Sequence, residues 1–312
     1  MGGGAMSLFA FEGAWNQQGP SEKTAPRRGT HVSLFKHAYR SGDVFHFPEI
    51  GSRMEYIFIL AALNGAFGLK GASVIQKAYL QLARHLEESP DDPIDLIGFS
   101  RGANLALHFA NLVILKGIPI LKSKQKREIT HRLPGKDKPE HRIVYTFDCQ
   151  PAPPIRFIGI WDMIAAGDLP VTIGPVPVQQ GSMGYRLGVP KGIWNAYHAM
   201  ALDETHADLP VLRLQGAEEV WFMGDHSRLG GGHQDPRLSD IALQWMFHKG
   251  MEAGLSFDPA MLENLDPSPE GLLDETERLN SARIVQPGDW VHSSVRPEHY
   301  PAIPWDFVRC VH

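Results

Sequence analysis

Residues Ile94–Phe109 read IDLIGFSRGANLALHF. An apolar run enters Gly98-Phe-Ser100-Arg-Gly102 and leaves it into an Ala/Leu-rich helical pattern. Few folds admit this arrangement. Glycines two before and two after a serine allow a sharp turn between a buried strand and a helix. They lift the serine hydroxyl above the strand end. The helix N-terminus beneath supplies backbone N–H groups and positive potential. A strand–turn–helix of this kind belongs in a parallel sheet with helices packed on it.

The rest of the chain keeps that rhythm. Short apolar runs at Ser7–Phe11, Val44–Phe47, Arg156–Trp161 and Glu219–Phe222 each end near Gly, Asp or Pro, as buried strands do. Ser73–Glu88 carries apolar residues at Val74, Ala78, Leu82 and Leu86, a helical spacing. Gly102–Leu115 is apolar nearly all round, and Leu238–Gly254 closes on a glycine cap. The expected class is therefore α/β: an α/β-hydrolase-like, mostly parallel central sheet with helices on both faces. The 312 residues, 43% hydrophobic, form one such domain over 1–312. Two stretches interrupt it. Residues 116–142 hold nine Lys/Arg against three Asp/Glu and are expected as a basic loop or lid. Residues 255–312, rich in Pro and acidic residues, are expected as an irregular C-terminal wrap.

Several function classes fall away. A net charge of −5 gives no electrostatic footprint for nucleic acid. Two cysteines, Cys149 and Cys310, make neither a disulfide scaffold nor a cysteine zinc site, though one bridge stays open. The N-terminus MGGGAM lacks a basic signal region, and Ile57–Leu63 is far short of the roughly 20 residues that span a bilayer. The chain is expected to be cytoplasmic as synthesised, without a transmembrane segment. Any export would use a route that reads no cleavable signal. No cofactor is called for.

A serine needs a base, and the base an orienting acid. In α/β-hydrolases they follow the serine as acid, then histidine. Arg156–Trp161 ends at Asp162, and Glu219–Phe222 runs into Met-Gly-Asp-His226. Asp148 and Asp168 are weaker rivals for the acid. The oxyanion hole is expected from the backbone N–H of Arg101 and from Gly13 or Ala14, in a Gly turn early in the sheet. The segment GDHSRLGGGHQD, 224–235, allows other chemistry too. Asp225, His226, His233 and Asp235 could ligate a metal. The glycines could cradle phosphate, but no Lys-Ser/Thr pair follows them. His198, in HAMALDE, either packs or positions a substrate loop.

The sequence also resembles a known family. FEGAWN at 11–16 is similar to its F-D-G-T-W-N. FPEIGS at 47–52, GFSRGA at 98–103, FIGIWD at 157–162, HAMALDE at 198–204, VWFMGDHSRLGGG at 220–232 and VHSS at 291–294 match further segments in order. The family is the α/β-hydrolase domain family that includes the catalytic domain of the first class of type VI secretion phospholipase effectors. Glu12 stands where it has Asp, and Ala14 where it has Thr. The resemblance implies a Ser100–Asp162–His226 triad and hydrolysis of carboxylic esters, in the effectors those of membrane phospholipids. It also implies an immunity or secretion partner. The alternatives are an esterase on small non-lipid esters and a degenerate hydrolase acting as a binding module.

Overall fold

A computed structural model describes residues 6–13, 29–48, 67–68, 74–131, 140–164, 179–181, 184–206, 209–231, 235–270 and 283–312. Its centre is an eight-stranded sheet. In chain order the strands are β1 Met6–Phe11, β2 Gly42–Phe47, β3 Ile94–Phe99, β4 Ile155–Trp161, β5 Ile193–Ala201, β6 Glu218–Phe222, β7 Trp290–His292 and β8 Arg309–Val311. Their spatial order is β2-β1-β3-β4-β5-β6-β7-β8, and every adjacent pair is parallel. The fold is α/β-hydrolase-like, as the strand–helix alternation predicts.

Both faces of the sheet are covered, so β3 and β4 are buried at every residue. Alternation then divides each strand between two cores. Leu8, Ala10, Ile97, Phe99, Phe157 and Trp161 pack on one side with helices α1 (His31–Ala38) and α5 (Arg237–Glu252). Phe9, Phe11, Ile94, Leu96, Ile158 and Ile160 pack on the other with α2 (Val74–Glu88) and α3 (Arg101–Lys116). Helix α2 buries Ile75, Ala78, Tyr79, Leu82, Ala83 and Leu86, an i, i+3, i+4 stripe. Helix α3 buries every residue from Gly102 to Val113, because strands and α2 surround it.

The strand order places the site. The chain leaves β1 for β2 on one side and then crosses to β3 on the other. The strand order reverses between β1 and β3, and open parallel sheets gather ligand-binding groups beyond the carboxyl ends of the strands at such a point. Gly13 follows β1 and Ser100 follows β3. Asp162 follows β4, and His226 opens the short helix α4 (His226–Gly230) beyond β6.

Three stretches differ from the sequence expectations. Strand β5 lies between β4 and β6, yet its run IWNAYHAMA carries Asn195 and His198, which hide the apolar pattern. The expected irregular wrap after 255 contains helix α6 (Pro259–Glu263) and strands β7 and β8, which extend the sheet. Three-residue strands are too short to show alternation. The expected basic loop holds an antiparallel ladder of Gln125–His131 with Glu140–Thr146, joined by backbone hydrogen bonds that a charge count does not register. Residues 132–139 lie outside the described residues.

Candidate active site

Among the described residues only two non-glycines have positive φ: Ser100 at 57° and Asp162 at 36°. Such conformations cost about 1–3 kcal/mol each and persist where surrounding structure fixes them. Here the Ser100 N–H donates to the Trp161 carbonyl at 3.0 Å, and the Asp162 N–H to the Ala199 carbonyl at 2.8 Å. Each strained residue is thus tied to the neighbouring strand. The glycines flanking Ser100 are required. A Cβ on Gly102 would stand 2.3 Å from the Phe11 carbonyl oxygen, and one on Gly98 would stand 2.6 Å from that of Gly102.

The two strained residues meet through one histidine. His226 Nε2 lies 2.9 Å from Ser100 Oγ, and His226 Nδ1 lies 2.6 Å from Asp162 Oδ2. With Nδ1 carrying the proton toward the carboxylate, Nε2 is the acceptor for the serine hydroxyl. The imidazole leans on the Phe99 ring, 4.7 Å between centroids. Gly230 keeps that ring in place, since a Cβ there would lie 2.3 Å from Phe99 Cζ. Ser100 is 4% exposed, so it is buried rather than on open surface.

The histidine is held from two sides. Asp225 caps α4: its carboxylate accepts from the Arg228 N–H at 2.7 Å and from Ser227 Oγ at 2.9 Å. The His226 N–H donates to Glu204 Oε2 at 3.0 Å, and the Gly224 N–H to Asp203 Oδ2 at 2.6 Å. Tyr300 donates to the same Asp203 oxygen. The pair Asp203-Glu204, just past β5, therefore sets the height of the histidine turn. Sequence reasoning passed over it, although two acids at a strand end beside a candidate base are a readable signal.

Asp162 is fully buried and accepts four hydrogen bonds. Besides His226, the Ala201 N–H reaches Oδ1 at 2.9 Å. Arg283 spans both oxygens, Nη1 to Oδ1 at 3.2 Å and Nη2 to Oδ2 at 3.0 Å. Burial by itself pushes the carboxyl up. The Arg283 charge, then the hydrogen bond and charge of His226, then the Ala201 N–H more than reverse this, holding it well below the usual carboxylate range. Nothing in the sequence around Arg283 announces this contact.

His198 lies behind the site. Its Nε2 accepts the Met163 N–H at 3.2 Å, and Nδ1 lies 3.0 Å from Glu219 Oε1. It fixes the backbone beyond Asp162 from a fully buried position. At the head of the sheet, Glu12 turns its carboxylate onto Thr30 Oγ1 at 2.9 Å. Its N–H donates to the Phe47 carbonyl, which seats the turn leading to Gly13. A Cβ on Gly13 would lie 3.0 Å from Ser100 Cβ, so this backbone borders the serine. Arg101 is the first residue of α3, where N–H groups have no intrahelical acceptor. Ala14, Asp168 and His233 lie outside the described residues. Asp148 donates its N–H to Ser123 Oγ and accepts from the Ile120 N–H, well before β4 in the chain.

Asp235 is engaged with Arg237, and Asp225 with the α4 cap. Among the described residues no group of three or more His, Cys, Asp or Glu is placed to hold a metal ion. No helix among them is long and apolar enough to cross a membrane. Cys149 and Cys310 are both free and exposed, so the open bridge does not form.

Over residues 9–249 the sequence matches the family described as "T6SS, Phospholipase effector Tle1-like, catalytic domain". No curated protein matches it. The similar solved structures include the following two. One is described as an uncharacterized protein from Pseudomonas aeruginosa, 17% identical, with a TM-score of 0.49 over 88% of this chain and 50% of that one. The other is the Tle1 effector bound to the VgrG spike of the type 6 secretion system. It is 16% identical, with a TM-score of 0.43 over 75% of this chain and 52% of that one. The chain spans about half the length of either match.

Proposed function

The chain belongs to the Tle1-like phospholipase effector catalytic-domain family of type VI secretion, and from that premise we propose that it is a serine hydrolase of lipid acyl esters. The observation that carries this reading is the unbroken series Ser100 Oγ–His226 Nε2 and His226 Nδ1–Asp162 Oδ2, at 2.9 and 2.6 Å. The geometry suits acyl transfer. Ser100 Oγ attacks the ester carbonyl carbon while His226 Nε2 takes its proton. Asp162 holds the tautomer and stabilises the imidazolium. Negative charge on the carbonyl oxygen meets the N–H groups of Arg101 and Gly13, at the positive end of α3. Collapse expels the alcohol, which takes the proton from His226. Water, deprotonated by the same ring, then releases the acid and restores Ser100.

The family supports a phospholipid as the ester, and with it delivery out of the producing cell and a secretion or immunity partner. We treat 1–312 as one hydrolase unit, because a single sheet takes strands from Met6 through Val311. The test is turnover of a panel of phospholipids and p-nitrophenyl esters by the wild type and Ser100→Ala. We expect phospholipid hydrolysis that the variant loses at unchanged melting temperature. Retained hydrolysis in Ser100→Ala would overturn the assignment, and activity confined to short esters would overturn the lipid substrate.

A further inference from the structure

The segment Arg283–Val285 inverts the usual order of sides. Arg283 is 9% exposed, Ile284 64% and Val285 7%. An arginine thus takes a buried place while the isoleucine beside it faces solvent. A buried guanidinium costs several kcal/mol unless it is paired and hydrogen-bonded. Arg283 meets this by spanning both Asp162 oxygens and donating to the Leu209 carbonyl at 2.8 Å.

We propose that Arg283 is the positioning residue for Asp162: its guanidinium clamps both carboxylate oxygens, so that Oδ2 faces His226 Nδ1 and the group stays ionised in a fully buried place. The proposal rests on the serine-hydrolase reading for its consequence in catalysis, though not for the clamp itself. The fork geometry makes the case. A carboxylate can rotate about its Cβ–Cγ bond. Two parallel N–H···O contacts, with the Ala201 N–H on Oδ1, fix that rotation in a way that one contact to His226 does not. Asp162 is 0% exposed, so bulk solvent does not reach it to stabilise its charge. The titratable groups that meet it are Arg283, from the segment before β7, and His226, at the head of α4. Further out, His198 of β5 holds the Met163 N–H and pairs with Glu219 of β6. Asp203 and Glu204 hold the backbone of the histidine turn. Asp225 and Arg228 pair with each other on α4 itself.

Charge and geometry separate in three variants. Arg283→Lys keeps the charge and loses the fork. Arg283→Gln keeps a donor and loses the charge. Arg283→Met loses both. Two readouts follow them: the pH profile of kcat/KM, and the carboxyl 13C resonance of Asp162 against pH. An opposite charge at this distance moves a carboxyl by about 1–3 pH units. In Gln and Met we therefore expect the Asp162 resonance to titrate about 1–3 pH units higher than in the wild type, with the acid limb of kcat/KM moving the same way. Lys should keep the wild-type titration and limb while kcat falls about tenfold. A merely structural arginine would lower the melting temperature and the rate alike at every pH, without moving either titration. That result in folded Gln or Met protein overturns the proposal. If Met does not fold, Gln and Lys decide it. A wild type inactive on every ester would remove the hydrolase reading, while the 13C titration still decides the clamp.

Discussion

Asp162→Asn changes one atom, and the structure dictates how the amide must sit. The Oδ1 position receives two donors, the Ala201 N–H at 2.9 Å and Arg283 Nη1 at 3.2 Å. The amide oxygen has to take that place, because an NH2 there would face both. The NH2 then occupies the Oδ2 position, 2.6 Å from His226 Nδ1. It donates to Nδ1 and drives the ring proton to Nε2, which then faces Ser100 as a donor and cannot take the serine proton. A wrong-tautomer histidine costs roughly 10³–10⁴ in kcat, about 4–5.5 kcal/mol of barrier. The second effect is on stability. The new NH2 also meets Arg283 Nη2, so the buried guanidinium loses its anion and one acceptor. Breaking one partner of a buried pair costs about 3–5 kcal/mol. We take the lower end, since the amide oxygen still accepts from Nη1. At about 2.1 cal/mol/K of unfolding entropy per residue, 312 residues shift by about 1.5 °C per kcal/mol, so melting should fall by about 4–5 °C. The assay is p-nitrophenyl ester turnover beside scanning calorimetry on one preparation. A variant with kcat within tenfold of wild type would refute the tautomer reasoning. One that loses activity at an unchanged melting temperature would refute the buried pair.

Other outcomes follow from the same geometry. Gly102→Ala places a Cβ 2.3 Å from the Phe11 carbonyl oxygen. Prising β1 from α3 should cost about 1–3 kcal/mol and lower kcat by shifting Gly13 from Ser100, so wild-type melting and turnover would contradict it. Asp225→Ala removes the cap of α4 and should cost about 0.5–2 kcal/mol, visible in urea unfolding, with a fall in kcat at nearly constant KM. Burial holds His108 at about 4, and burial followed by the His312 charge holds His292 at about 4. The unfolded chain therefore takes up protons that the native state refuses between the ordinary histidine value of about 6.5 and about 4. Stability should be full above about pH 6.5 and fall progressively toward pH 4, as urea midpoints would record. His108→Gln should flatten that slope, and an unchanged slope would count against the burial argument.

What could be read from the sequence depends on how locally each feature is encoded. Strands β3 and β4 declare themselves because both of their faces are buried, so nearly every residue is apolar. The serine turn declares itself because its glycines answer to contacts with nearby backbone. Ser100, Asp162 and His226, picked out by chain order and strand ends, come within hydrogen-bonding reach of one another. Strand β5 escaped because His198 and Asn195 sit in it, each satisfied by partners distant in sequence. Asp225 reads in the sequence as a candidate metal ligand, and its role as a helix cap follows only once α4 is known to start at His226. Arg283 was illegible on principle. Its partner is 121 residues away, and its own surroundings read as a polar tail.

That separation has a consequence in time. A ribosome adding about 5–20 residues per second needs roughly 6–24 s to travel the 121 residues from Asp162 to Arg283. During that interval the serine turn, the carboxylate and then the histidine already exist, while the guanidinium that holds the carboxylate does not. Strands β7 and β8 follow Arg283 in the chain and stand beyond β6 in the sheet. The carboxylate clamp is complete only once Arg283 has been added and has docked on Asp162. On the proposed hydrolase reading, a chain that has not yet reached Arg283 carries Ser100 and His226 with an unclamped acid.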